Sequence, residues 1–192
     1  MVRPVRSIIQ GVALAALVQR VEGTYRSFAA TSWIMTATTF LAILVIWHEY
    51  LVQVMGYVWT PTLIDSIVPF AFVGGEVFMT HFVANDLRNW LLASGATFLV
   101  AVAAWVVGWR QARLGRGENR AVFRSFPKAH RLRGILPGAL GLLGIAGWAR
   151  YDALGFSRSQ VIAAIGMLSL LAVYVAISIP YWSHVAAHAP RH

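Results

Sequence analysis

Long uncharged apolar runs alternate with short polar stretches along this chain, and the run lengths decide the first expectation. Residues 28–50 carry no charge before His48 and Glu49. At about 1.5 Å per helical residue, that run exceeds the ~30 Å hydrocarbon core of a bilayer. A second run, 62–84, opens at Thr60-Pro61-Thr62, where proline suits a first helical turn and Thr62-x-x-Asp65 has capping-box register. Tyr57 and Trp59 precede it, as aromatic rings do at a water boundary. The third run, 90–109, has tryptophan at both ends and small residues inside, including the pair Ala104 and Gly108. The fourth, 135–149, places Gly138, Gly141, Gly144 and Gly147 three apart, a groove in which a neighbouring helix is expected to lie. The fifth, 159–182, follows the capping box Ser157-x-x-Gln160.

The pattern predicts an all-α fold, a polytopic transmembrane helical bundle of five spans. The N-terminal segment 4–21 is either interfacial or a sixth span. Its unbroken apolar part is only Val12 to Val18, set between Arg3, Arg6 and Gln19, Arg20, and a signal-peptide core has the same form.

Composition strengthens the membrane reading. The chain is 58% hydrophobic and 12% charged, against roughly 45–50% and about 25% in soluble domains. A soluble chain of 192 residues leaves much surface exposed, and this one lacks the polar residues to cover it. One membrane domain, 1–192, is expected. The absence of cysteine excludes disulfides, thiolate metal sites and a cysteine nucleophile.

The formal charge of +9 is concentrated between the apolar runs, where it orients a membrane protein rather than marking a nucleic-acid partner. The stretch 110–133 holds eight of the 16 Lys and Arg, so it is expected in the cytoplasm, in a bacterial-type cytoplasmic membrane. Within it Arg113, Arg116, Arg120, Arg124, Lys128 and Arg131 suit anionic lipid headgroups or a protein partner. Six spans with both termini beside this loop divide the Lys and Arg 11 to 5; five spans divide them 9 to 7.

Few residues carry candidate chemistry. Glu76 is an acid deep in the second run, and such a residue is costly in hydrocarbon. Asp65 stands eleven residues earlier, within about 20° of the same helix face, joined there by Pro69 and Thr80. Asp65, Glu76 and Thr80 form a candidate ion or proton track, with packing and end-capping as the plainer roles of the same residues. His81, His48 and Glu49 are candidate pairing groups near run ends. His184 and His188, four apart, form a weak metal pair with no third ligand, so no metal and no cofactor are expected. Ser32, Thr36 and Thr39 make a hydroxyl stripe suited to interhelical hydrogen bonds.

No phosphate loop, metalloprotease motif, nucleophile elbow or nucleotide fingerprint occurs. The leading functional expectation is a small channel, transporter or transport subunit with an intramembrane acid. The alternatives are an accessory subunit of a larger membrane complex, homo-oligomeric or with other membrane subunits, and a membrane-embedded enzyme acting on lipid.

Overall fold

The structure, a computed structural model, describes residues 3–56, 63–84, 86–114, 133, 135–155 and 158–188. Among these, all regular structure is helical. Helix α1 covers Arg3–Thr24, a short 3-10 turn follows at Tyr25–Ser27, and α2 covers Ala30–Gly56. Then come α3 (Leu63–Phe82), α4 (Leu87–Leu114), α5 (Ile135–Ala153) and α6 (Ser159–His188).

Three of these are long and apolar enough to cross a membrane: α2 over Ala30–Val52, α4 over Leu87–Arg110 and α6 over Ser159–His184. Five were expected. The apolar part of α3 is shorter, Ile67–Phe82, and the 19 residues of α5 include Arg150 and Asp152 in its closing turn. Pro61, Thr62, Ser157 and most of the basic stretch, with Arg116, Arg120, Arg124, Lys128 and Arg131, lie outside the described residues.

Local chemistry sets the helix ends. Asp86 accepts a hydrogen bond from the Asn89 backbone N–H at 2.9 Å and another from its side-chain amide. One of the unpartnered amides at the start of α4 is thereby satisfied. Gly155, at φ +81, follows α5 and donates to the Asp152 carbonyl, a left-handed stop that glycine adopts without a Cβ clash. Gln160 does not reach back along its own helix. Its amide donates to Asp152 at 3.0 Å, tying the start of α6 to the end of α5.

Helix contacts make a circuit. α2 packs on α3, α3 on α4, α4 on α5, α5 on α6 and α6 back on α2, while α1 lies along α3 and beside α2. One apolar core draws on all six helices, from Leu17 and Met35 through Met79 and Leu91 to Trp148 and Met167. Polar residues add interhelical bonds. Ser32 donates to the Ala84 carbonyl at 3.2 Å, and the Trp90 indole N–H donates to Thr39 at 3.0 Å. Thr36 donates to the Ser32 carbonyl of its own helix at 2.8 Å.

The α5 glycines divide into two pairs. A Cβ on Gly138 would stand 2.5 Å from Val102 of α4, and one on Gly141 would stand 2.9 Å from the Phe98 ring; at Gly144 and Gly147 it would meet nothing within 4 Å. Val102 is β-branched and stiff in a helix, so it yields poorly. Gly138→Ala is therefore expected to lower stability by about 1–3 kcal/mol through overpacking. Gly144→Ala is expected to be neutral, or stabilising by up to about 1 kcal/mol through helix propensity. Thermal melts of both variants in detergent check this, and equal melting temperatures would contradict it.

Candidate functional site

The densest polar contact of the bundle joins three segments far apart in sequence. Near the C-terminal end of its apolar stretch, α2 presents Glu49. On α6, Tyr174, Ser178 and Trp182 stand four residues apart and so share one face. Arg133, the last basic residue before α5, enters between them.

The Arg133 guanidinium grips Glu49 in a two-point fork, Nη1 to Oε1 at 2.6 Å and Nη2 to Oε2 at 2.7 Å. Nη1 also donates to the Tyr174 hydroxyl at 2.9 Å and to Ser178 Oγ at 2.8 Å. With two hydrogens for three acceptors, Nη1 shares one of them. Tyr174 turns its own proton to Glu49 Oε1 at 2.7 Å, and the Trp182 indole N–H donates to the same oxygen at 2.9 Å. Tyr181 completes the enclosure, its ring centre 3.5 Å from Arg133 Cζ, a cation–π contact.

The side chains of Arg133 and Glu49 are only 6% and 16% exposed, so their charges have given up most of their hydration and depend on each other. Burial disfavours the Arg133 guanidinium, but its hydrogen bonds to the Glu49 carboxylate and the charge beside it outweigh that, and its pKa lies above the ordinary range. His48 stands edge-on to Trp182, ring centres 4.1 Å apart.

A cavity of about 170 Å³ opens on the inner side of this network, lined by residues of α2 to α6 and open on one side. Glu49 and Tyr174 form part of its wall, in which half of the residues are buried and the other half partly exposed. Pro69, Phe72 and Met79 bring α3 to it. Glu76 lies seven, four and three residues from them, which places it on the same helix face. It is fully buried, as Thr80 nearly is. Thr80 Oγ1 has no hydrogen-bond partner among the described residues. Asp65 lies in the first turn of α3, and its side chain is outside the described residues.

Other sequence candidates fall elsewhere. Glu49 joins Arg133 rather than a histidine. His81 is exposed and stands edge-on to Phe82. Ala104 lines the cavity. Arg113 is exposed, with its guanidinium 5.3 Å from the centre of the Trp109 ring. His184 is half-buried, and the side chain of His188 is outside the described residues. Among the described residues no three His, Asp or Glu side chains gather as a metal ion would need. No family model, curated protein or solved structure matches this chain. The function is therefore argued from this geometry alone.

Sequence reasoning passed over Arg133, which belongs by position to a stretch whose charge orientation alone explains. A signal was present in α6, where Tyr174, Ser178 and Trp182 put three hydrogen-bonding groups on one face of an otherwise apolar helix.

Proposed function

We propose that this chain is a multi-pass membrane protein acting as a small channel, transporter or transport subunit, with Glu76 as its ion- or proton-binding group. In this reading α2 to α6 each cross the bilayer. α1, whose 22 residues lie along α3 rather than apart from it, crosses as a sixth span. Both termini and the 110–133 stretch then share the cytoplasmic side, the arrangement that places 11 of 16 Lys and Arg there. The whole chain forms one membrane domain, and anionic headgroups gather at the basic stretch.

The observation that carries the proposal is Glu76, an acid fully buried in an apolar helix. An ionisable group there is expensive to keep, and membrane bundles hold such groups mainly where protons or ions are handled. The Glu49–Arg133 pair is a second buried polar group, with the charge of each side chain set against the other. It suits a fastening of α2, α5 and α6 at the cytoplasmic end. The test is proton and cation flux in proteoliposomes, wild type against Glu76→Gln. Loss of flux with an intact fold supports the reading, and unchanged flux removes the acid from it.

A further inference from the structure

We propose that this cavity is a binding site for a small, uncharged, apolar molecule of about the size of benzene. The inference is independent of ion or proton movement and rests on what the cavity wall has left to offer.

Size comes first. The volume is about 170 Å³, close to the ~150 Å³ at which an apolar protein cavity stays empty of water and takes up benzene or xenon. Character comes second. Most of the wall is apolar, with Phe72, Phe98, Ala101, Trp105, Met167 and Leu171 contributed by three helices. The serine and threonine hydroxyls in the wall have already spent their protons. Thr38 donates to the Ile34 carbonyl at 2.7 Å, Ser94 to the Trp90 carbonyl at 2.8 Å and Thr97 to the Ala93 carbonyl at 2.9 Å. Tyr174 donates to Glu49.

A water molecule needs two to four polar partners to be held in such a place. The hydroxyl oxygens of Thr38, Ser94 and Thr97 retain lone pairs, but their protons are committed to carbonyls of their own helices. A charged ligand finds no counter-ion either, since Arg133 neutralises Glu49, the one acid among the described residues of the wall. What remains is dispersion contact and the faces and edges of aromatic rings, which reward a flat apolar molecule.

The test uses the full-length chain. Crystals pressurised with xenon are expected to show an anomalous peak between α2, α4 and α6. In solution, benzene is expected to raise the melting temperature saturably, because a ligand that binds only the folded state stabilises it. Ala101→Phe fills the space and is expected to abolish both the peak and the shift. Ala104→Leu is the smaller filling to use if the first variant does not fold. Xenon confined to the outer helix surfaces, or a benzene effect equal in wild type and filled variant, would overturn the proposal. Loss of flux in Glu76→Gln bears only on the transport reading, so the two fail separately.

Discussion

Arg133→Met is expected to destabilise the bundle by about 3–5 kcal/mol, the loss that follows when one partner of a buried ion pair is removed and the other stays charged. The cost arises at Glu49. Without the guanidinium, its two oxygens keep only the Tyr174 and Trp182 donors, both on Oε1. Adding Glu49→Gln removes the stranded charge and is expected to restore much of the loss, so a double-mutant cycle should show strong coupling. Lysine in place of Arg133 is expected to rescue poorly, because a point charge cannot make the two-point fork. Denaturant titration in mixed micelles of the four proteins of the cycle, and of Arg133→Lys beside them, measures these differences. Additive effects within about 0.5 kcal/mol would mean the two groups act independently, against the geometry.

Glu76→Gln is expected to reduce flux to the level of protein-free liposomes while leaving the fold in place. Glutamine keeps the size and shape of the side chain, exchanges one oxygen for an amide donor and cannot titrate. Stability is expected to hold or rise, since the variant no longer buries an ionisable group in an apolar helix. A substitution that stops transport without a loss of stability separates a working group from a packing group. The melting temperature must therefore be read beside the flux, and a variant that lost both would point to a structural acid.

The helical class was legible because hydrophobic run length is a strong physical signal. The runs beginning near 28, 90 and 159 correspond to α2, α4 and α6, the three helices with full spanning length and apolarity. Glu76 was legible for a related reason, as an acid in an apolar run is conspicuous, and it is fully buried. The Glu49–Arg133 network was not legible. Its members lie 84 residues apart, and a periodicity along one helix carries no information about which distant residue meets it. Arg133 was further obscured by the seven basic residues preceding it in the 110–133 stretch, whose charge already had an explanation. The α5 glycines show the same boundary. Their spacing marks a smooth face, but only packing determines that Gly138 and Gly141 meet α4 while Gly144 and Gly147 meet open space.

The membrane bundle itself is tested most directly by single-cysteine labelling, for which the chain is suited because it contains no cysteine of its own. One cysteine replaces Glu118 in the basic stretch, and in a second protein one replaces Leu154 after α5. A membrane-impermeant maleimide is then applied to intact cells. The account predicts labelling at 154 in intact cells and labelling at 118 only after the membrane is opened. Equal labelling of both sites in intact cells would place the two ends of α5 on one side of the membrane and contradict a bundle in which α5 crosses.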